Sequence, residues 1–317
     1  MRHNYQISFV FLHTKNATMK YELCCIGHIT LDKVTTPKRI VHMSGGTSFY
    51  VSHAIKNFDD IDYALVTAVG PSELNVTDEL QAQGINTTVL KSEKSVFFEN
   101  IYEDNTDIRK QRVWAKADPF TVGQLENIDA KVFHLGALLA DDFSLDVIKH
   151  LASKGLVSVD SQGYLREVRD TYVCAIDWKD KAEALKYIHF LKANEHEMEV
   201  LTGHKDPKKA AKKLYEWGVK EVLLTFGSMG SLIYDGNKFY RIPAYIPRET
   251  VDATGCGDTY MAGYLYKRTK GASIEEAGKF AAALSTLKIE NYGPVYTNAT
   301  EIYNTMNNEQ VLIDIVL

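Results

Sequence analysis

Residues 252–258 read Asp-Ala-Thr-Gly-Cys-Gly-Asp, and a run typical of a helix follows over residues 259–264. Gly255 and Gly257 have no Cβ, so the backbone at these positions can approach a ligand closely. The first turn of the helix directs free N–H groups and the positive end of its dipole back toward the glycines, which favours a bound anion. A carboxylate at Asp258 is poorly placed beside such a site unless it has a task. We infer that this task is to accept a proton from a hydroxyl group that attacks a phosphate.

The full pattern D-x-T-G-x-G-D ahead of a helix is more specific than a bare G-x-G, which most often marks an ordinary tight turn. It resembles the motif near the C-terminus of ribokinase-like carbohydrate kinases of the PfkB family. The resemblance implies that Asp258 is the catalytic base. It also implies that the backbone of Gly255, Cys256 and Gly257 forms the anion hole for the transferred phosphoryl group. The family usually has Ala at the position of Cys256, and both side chains are small.

The composition is that of a globular protein with a sizeable core. The chain has 317 residues, of which 45% are hydrophobic and 24% are charged, close to the average for such proteins. The net charge of −5 and the pI of about 6.1 argue against nucleic acid or an anionic membrane surface as a partner. We therefore expect no nucleic-acid or membrane partner. The resemblance implies a small-molecule sugar or polyol substrate, and we expect a monomer or homodimer.

The cysteines are Cys24, Cys25, Cys174 and Cys256, and their spacing matches neither a C-x-x-C pair nor a zinc site. Free thiols in this pattern are typical of a reducing compartment, so we expect a cytoplasmic protein. For Cys256 we also expect a reactive thiol. It is predicted at a helix N-terminus, where the pKa of a thiol is often lowered, and should then react readily with alkylating reagents.

The first residues differ from the rest of the chain. The apolar run 7–12 is short, it is followed by His13 and Lys15, and it has no small-residue cleavage site after it, so it does not match a signal peptide. We expect residues 1–18 to be an extension outside the fold. Residues 19–317 are then one kinase-like domain.

Alternating strands and helices dominate the chain from Lys131 onward, and this rhythm is typical of a parallel sheet with crossover helices. Residues 33–44, broken by Pro37, suit an edge strand. Residues 95–115 read as a hairpin that turns at Asp104-Asn105. We predict a three-layer αβα domain with a mostly parallel sheet, in which these two segments form a small β lid. The alternative for the charged hairpin is a solvated edge that discourages pairing with other chains.

The resemblance implies two acceptor contacts in the N-terminal half. In the family, an Asp that grips sugar hydroxyls follows the first strand, and Asp32 has that spacing after a strand predicted over residues 21–29. A Gly-Gly pair brings the backbone close to the substrate, and Gly45 and Gly46 match it ahead of a helix predicted to reach Phe58.

This sequence departs from the family pattern after the glycine pair. The family usually has an Asn that touches the sugar, whereas this chain has Phe49 and Tyr50. The change argues against ribose and favours a more aromatic pocket in which Tyr50 contacts the substrate, although both rings also suit the core of the helix. The predicted lid adds Asn100 and Arg112 as candidate substrate contacts.

Further candidates follow the later strands, whose carboxyl ends form the ligand-binding edge of an open parallel sheet. Segment 160–166 resembles the family's D-x-N-x-R element, with Asp160 retained and Arg166 displaced; either residue is a ligand contact or a structural one. The resemblance implies that Asn194 and Glu197 order Mg²⁺ and its waters around the nucleotide phosphates, which suits a metal that takes few protein carboxylates.

The remaining contacts that the resemblance implies concern the nucleotide and a monovalent ion. A T-x-G-x-x-G segment, which receives ATP in the family, is present as Thr225, Gly227 and Gly230. Family members also often bind a potassium-like ion with carbonyl groups on either side of the anion hole. The candidate ligands here are Asp252, Thr254 and Gly293.

Together these features predict an ATP-dependent kinase that phosphorylates a hydroxyl of a sugar or polyol. The aromatics after Gly46 and the segment 160–166 resemble the inositol-kinase branch, so a cyclitol is a candidate beside pentoses and hexoses. A nucleoside kinase of the adenosine type is an alternative. A dinucleotide-dependent oxidoreductase would need a G-x-G-x-x-G after the first strand, and the sequence has none. A non-catalytic sugar- or nucleotide-binding protein is disfavoured because both Asp258 and Glu197 are present.

Overall fold

The computed structural model describes residues 21–35, 37, 40–102, 109–307 and 311–312. The extension predicted for residues 1–18 and the turn predicted at Asp104-Asn105 lie outside these residues. Within the described part of the chain, no helix has the length and apolar character required to cross a bilayer.

The strands that the structure describes are, in chain order, β1 (Tyr21–Gly27), β2 (Thr30–Thr35), β3 (Ile40–Gly45), β4 (Tyr63–Val69), β5 (Asn86–Lys91), β6 (Val96–Tyr102), β7 (Arg109–Ala115), β8 (Ala130–Gly136), β9 (Leu156–Asp160), β10 (Arg166–Arg169), β11 (Tyr172–Ala175), β12 (Phe190–Asn194), β13 (Glu221–Thr225), β14 (Ser231–Tyr234), β15 (Phe239–Ile242), β16 (Ala244–Tyr245) and β17 (Val311–Leu312).

The α-helices are α1 (Thr47–Ile55), α2 (Leu74–Ala82), α3 (Val122–Leu125), α4 (Leu145–Ala152), α5 (Lys181–Ala184), α6 (Glu195–Thr202), α7 (Pro207–Glu216), α8 (Cys256–Thr269), α9 (Ile274–Ile289) and α10 (Ala299–Asn307). Side chains accept the first free N–H groups of several of them, as Ser144 does for α4, Asp206 for α7 and Ser273 for α9. Such caps fix where a helix begins.

The large sheet has nine strands in the order β15-β14-β13-β12-β9-β8-β1-β4-β5. The pairs from β5 to β13 are parallel, and the hairpins that add β14 and β15 are antiparallel. The predicted mostly parallel sheet is therefore confirmed. In a parallel sheet all carboxyl ends lie along one edge, so the loops after β9, β12 and β13 are brought together.

Both faces of the large sheet are covered, because its strands carry apolar side chains on both sides. In β1, Cys24 and Ile26 join a core with α4, α6 and α7, whereas Leu23 and Cys25 join a second core with α1, α8 and α9. This alternation with a period of two residues divides one strand between two cores. The predicted three-layer architecture is confirmed.

The small sheet has six strands in the order β10-β11-β7-β6-β2-β3. The predicted single edge strand at residues 33–44 is two strands, β2 and β3, paired antiparallel. The hairpin predicted at residues 95–115 is present as β6 and β7. The hairpin of β10 and β11 was not predicted from the sequence, and it joins the sheet through the pairing of Tyr172 with Arg112.

One strand of the large sheet is displaced from its predicted position. The sequence predicts a strand from Tyr187 to Lys192, but the structure has a 3₁₀ turn at Leu185–Tyr187 and then β12 (Phe190–Asn194). The shift places Lys192 at the centre of the strand and Asn194 at its carboxyl end.

Candidate active site

A cavity of about 320 Å³ lies where the carboxyl ends of β9, β12 and β13 meet the small sheet and the start of α8. Residues distant in sequence contribute its wall: Thr30, Asp32, Gly46, Thr47, Tyr50, Phe98, Asn100, Gln111, Leu138, Asp160, Gln162, Arg166, Lys192, Asn194, Thr225, Ala253, Thr254, Gly255, Gly257 and Asp258. The structure thus brings predicted acceptor, phosphate and nucleotide residues to one place.

Close approaches at Gly255 and Gly257 shape the start of α8. Gly255 precedes the helix with φ +77°, and a Cβ there would lie 2.3 Å from the ring of Tyr50. A Cβ on Gly257 would lie 3.0 Å from Nζ of Lys192. Gly257 lines the cavity, so the N-terminus of α8 lies beside it, and a helix N-terminus is suited to an anion. In this structure the N–H of Cys256 donates to the backbone oxygen of Ala253 at 3.2 Å.

Asp258 lies in the first turn of α8 and is partly accessible through the cavity. Enclosure of its carboxyl group, reinforced by the negative charge of Asp160, raises the pKa to about 6, against the opposing effects of Lys192 and a hydrogen bond from Thr47. A carboxylate whose pKa lies near the operating pH is suited to exchange a proton with a substrate.

Lys192 supplies a buried positive charge that the sequence analysis missed. Its Nζ lies 2.6 Å from Oδ2 of Asp160, and both side chains are almost fully buried. Burial alone would lower the pKa of Lys192, but the carboxylates of Asp160, Glu197 and Asp258 raise it, so the amine is protonated. A lysine within the apolar strand β12 was the available signal, because a charge in such a strand requires a partner.

The side of the cavity formed by the small sheet contains carboxylate and amide groups. Asp32 accepts a hydrogen bond of 2.7 Å from the hydroxyl of Thr30. Gly45 does not line the cavity itself, but a Cβ there would lie 2.5 Å from Oδ2 of Asp32, so this glycine makes room for the carboxylate. Across the cavity wall, the amide of Gln111 donates to Oδ1 of Asn100 at 2.9 Å.

Arg112, which the sequence offered as a substrate contact, does not line the cavity, and the geometry of its strand gives the reason. Successive side chains of a strand point to opposite faces of the sheet. Gln111 faces the cavity, so the next residue of β7 faces away from it. Arg112 instead lies over the rings of Trp114 and Tyr172, at 5.5 and 4.7 Å from their centroids. Gln111 is the residue that sequence reasoning missed.

Tyr50 both lines the cavity and packs in the core, which are the two roles that the sequence left open for it. It lines the cavity but is only 2% exposed, and it packs beneath Gly255. Its buried hydroxyl has no hydrogen-bond partner among the residues that the structure describes. Phe49, by contrast, packs against His53 inside α1.

A second cavity, of about 510 Å³, lies on the other side of the anion-hole turn and is mostly apolar. It contains the predicted nucleotide residues Thr225, Gly227 and Gly230, and Cys256 lies in its wall. The two cavities share Thr225, Ala253 and Gly257. An apolar cleft that opens onto an anion site fits a nucleotide base and its phosphates.

Asn194 and Glu197 form a reciprocal cap at the start of α6. Oδ1 of Asn194 accepts from the N–H of Glu197 at 2.8 Å, and the Glu197 carboxylate accepts from the backbone and amide N–H of Asn194 and from Ser161. Asn194 lines the first cavity, whereas Glu197 lies behind it. Burial raises the pKa of Glu197. A magnesium ion held by phosphates and water fits this arrangement only through water or Asn194.

Metal ligands are sparse elsewhere in the molecule. Among the residues that the structure describes, no three His, Cys, Asp or Glu side chains converge as a metal site. Of the proposed monovalent-cation ligands, Oδ1 of Asp252 accepts from the N–H of Thr254 at 2.9 Å, and Gly293 has φ +71°. The backbone oxygen of Asp252 already accepts a hydrogen bond from the ammonium group of Lys288.

The expectation of a lowered thiol pKa at Cys256 is wrong. Burial raises the pKa of its thiol to about 11, although Lys288 opposes this shift. The sulfur faces the backbone oxygens of Asp252 and Ser285 at 3.9 and 3.8 Å. Desolvation therefore outweighs the helix N-terminus that motivated the expectation.

The fold, with two cavities that share residues at the N-terminus of α8, is that of a phosphotransferase. The chain belongs to the pfkB family of carbohydrate kinases, whose sequence profile matches residues 18–301. The resemblance stated from the sequence is confirmed, and the protein is a kinase.

Relatives within the family differ in substrate. The chain is 28% identical over 283 residues to the cytidine kinase of Thermococcus kodakarensis, covering 86% of this chain and 97% of that one. It is also 28% identical to a solved pyrophosphate-dependent kinase of the ribokinase family complexed with a pyrophosphate analog and myo-inositol, with a TM-score of 0.78 and coverage of 86% and 97%. The Arabidopsis thaliana ribokinase complexed with ribose and ATP shares the fold, with 20% identity, a TM-score of 0.73 and coverage of 91% and 99%.

Proposed function

We propose that the protein transfers the γ-phosphoryl group of ATP to a hydroxyl of a polyol or sugar, with a cyclitol such as myo-inositol as the first candidate. The observation that carries the proposal is the position of Asp258. Asp258 lines the polar cavity in the first turn of α8, next to Gly257, which lines both the polar cavity and the apolar one. An acceptor hydroxyl in the polar cavity would meet a donor phosphate from the apolar one beside this carboxyl group.

The residues divide the reaction between them. Asp258 takes the proton of the attacking hydroxyl. The N–H groups at Gly255–Gly257 and the ammonium of Lys192 stabilise charge on the transferred group. Phosphoryl transfer needs mainly such positioning and electrostatic stabilisation. Magnesium, when bound, neutralises phosphate charge, and Asn194 with Glu197 behind it would hold its water shell.

The acceptor class follows from the cavity wall. Asp32, Asn100, Gln111 and Gln162 line the cavity with carboxylate and amide groups, to which a hydroxyl-rich ligand can hydrogen-bond. A nucleoside is the second candidate, because Phe98 and Leu138 add an apolar surface on which a base can lie. The small sheet carries Asp32, Phe98, Asn100 and Gln111, and we propose that it acts as a lid over the acceptor.

Two donors deserve comparison. The 510 Å³ apolar cleft supports ATP, because pyrophosphate has no group that would use it. The likeness to a pyrophosphate-dependent kinase keeps pyrophosphate as the second donor to test.

The test is a screen of phosphoryl transfer with each donor over myo-inositol, ribose, fructose, cytidine and adenosine. We expect acceptor-dependent ADP release, greatest with a polyol or sugar. Asp258→Asn should keep the fold and lose nearly all turnover, because an amide cannot take the proton of the attacking hydroxyl. For comparison, the loss of one anion-hole donor typically costs about 3 kcal/mol of barrier. Asp141→Asn, at an exposed carboxyl outside the cavity, is the matched control. Equal rates for the wild type and Asp258→Asn would overturn the assignment.

A further inference from the structure

Lys288 is a fully buried lysine in the last turn of α9. Its Nζ donates hydrogen bonds to the backbone oxygens of Asp252 at 2.9 Å and Asn291 at 3.1 Å. Oδ2 of Asp252 lies 3.6 Å from the same nitrogen. Two carbonyl oxygens and a carboxylate therefore surround one ammonium group, away from solvent.

Such a set of oxygens is what a hard cation requires. A buried ammonium is unfavourable unless it is paired and hydrogen-bonded, and this one is both. Asp252 is one of the residues proposed above as a ligand of a potassium-like ion. Because an ammonium group tethered to α9 already fills the space at its backbone oxygen, the donor set does not fit a free ion.

The tethered cation is directly connected to the anion hole. The N–H groups of Val251 and Asp252 donate to the oxygen of Ile289 at 2.8 and 3.1 Å, so the strand-like approach to the turn runs along the end of α9. Oδ1 of Asp252 then fixes Thr254, immediately before Gly255.

A second contact runs through Tyr50. Nζ of Lys288 lies 5.9 Å from the centroid of the Tyr50 ring, and that ring supports Gly255 from below. The lysine thus contacts the turn through Asp252 and the ring of Tyr50, and it lines neither the polar nor the apolar cavity. It touches no substrate and acts through the backbone that forms the anion hole.

We propose that Lys288 is a positioning residue that replaces a bound monovalent cation, so that this kinase works without potassium. The inference rests on the proposed function for its kinetic readout. It makes two separable claims: the wild type is indifferent to the monovalent ion, and removing the lysine side chain creates a need for one.

The experiment measures phosphoryl transfer by the wild type and Lys288→Gly in buffers whose monovalent cation is potassium, sodium or choline. The wild-type kcat should agree across the three within about twofold. Lys288→Gly should lose about 100-fold in kcat through misplacement of the anion hole, with a smaller change in the acceptor KM. Potassium or methylammonium should restore at least about tenfold of that loss, whereas choline, which is too large for the site, should not.

Lys279→Met is the matched control, because Lys279 is on the same helix but is exposed and pairs with Glu275. It should keep wild-type activity in every buffer. Melting temperature and ADP affinity are measured in parallel for all three proteins, so the cation response is read without turnover. Lys288→Gly should melt higher in potassium than in choline, and the wild type should not.

The outcomes separate the two proposals. A wild-type enzyme that requires potassium, or a Lys288→Gly variant whose melting temperature and rate ignore every cation, would overturn the role of Lys288. If Lys288→Gly does not fold, the activity of the wild type in the three salts alone decides whether this kinase works without potassium. Absence of turnover with every acceptor would count against the proposed function, and the melting series would still test the lysine.

Discussion

At the scale of single residues, Asp258 decides how activity depends on pH. Enclosure raises the pKa of its carboxyl group to about 6, so the group is protonated, and unable to act as a base, below that pH. We expect kcat/KM to rise with an apparent pKa of about 6 and to level off above it. The measurement is a pH profile with saturating donor.

The profile needs a control for unfolding, which would also lower the rate in acid. Enzyme held at pH 5 and returned to pH 7.5 should regain its full rate. An acid limb centred near the ordinary aspartate pKa of about 4 would show that enclosure does not raise the pKa of Asp258.

Cys256 shows the opposite balance between burial and local charge. Because burial raises the pKa of its thiol to about 11, almost no thiolate exists near neutral pH. We expect iodoacetamide at pH 7.5 to label Cys256 far more slowly than the same residue in urea-unfolded protein, as followed by mass spectrometry of peptides. Rapid labelling that ATP prevents would contradict this.

At the scale of elements, strands β9 and β12 are joined by the buried pair of Asp160 and Lys192. Removing one partner leaves a buried charge unpaired, and such changes cost about 3–5 kcal/mol. Lys192→Met should therefore lower the free energy of unfolding strongly, and the double variant Asp160→Asn, Lys192→Met should recover most of it. Urea denaturation of the wild type and the variants measures these free energies of unfolding.

Activity separates the structural role of the pair from its chemical one. Nζ of Lys192 lies against Gly257 in the anion hole. The double variant should therefore remain slow although it is stable again. Recovery of both stability and kcat would mean that the lysine only balances Asp160.

The register of β6 and β7 makes a second prediction. Gln111 pairs with Asn100 and faces the cavity, whereas Arg112 faces away and packs on Trp114 and Tyr172. Gln111→Ala should raise the acceptor KM about tenfold, the equivalent of one good hydrogen bond. Arg112→Ala is its neighbour and control, and it should lower the melting temperature while leaving KM unchanged. If Arg112→Ala raised the acceptor KM and Gln111→Ala did not, the acceptor would not bind on the face of β7 that carries Gln111.

Local patterns predict elements better than they predict which face of an element meets a ligand. The boundaries of β4 and β9 and the approximate extents of α7 and α9 follow from apolar periodicity and caps. The choice between Gln111 and Arg112 depends on the pairing of β7 with β6, which a one-residue shift would reverse. Lys192 was missed for a related reason, since its partner Asp160 is 32 residues away in sequence.

At the scale of the whole molecule, strand–helix alternation was enough to predict the three layers, because each crossover helix must cover one face of the sheet. The motif at residues 252–258 was enough to identify the family. Long-range pairings were beyond prediction: β10 and β11 join the small sheet far from their sequence neighbours, and Lys288 meets Asp252 across 36 residues.

The arrangement of the two cavities allows the donor to be tested without altering the chemistry. Thr250 is exposed at the wall of the 510 Å³ cleft, whereas the neighbouring Glu249 is equally exposed but does not line it. Thr250→Trp should narrow the cleft and raise the KM for ATP about tenfold or more, since a misfit of this kind removes apolar contact. The acceptor KM and any rate with pyrophosphate should not change, because both depend on the polar cavity and the anion hole. Glu249→Trp should leave all three constants unaltered. If Thr250→Trp left the ATP constant unchanged, or slowed pyrophosphate equally, the apolar cleft would not be the nucleotide site.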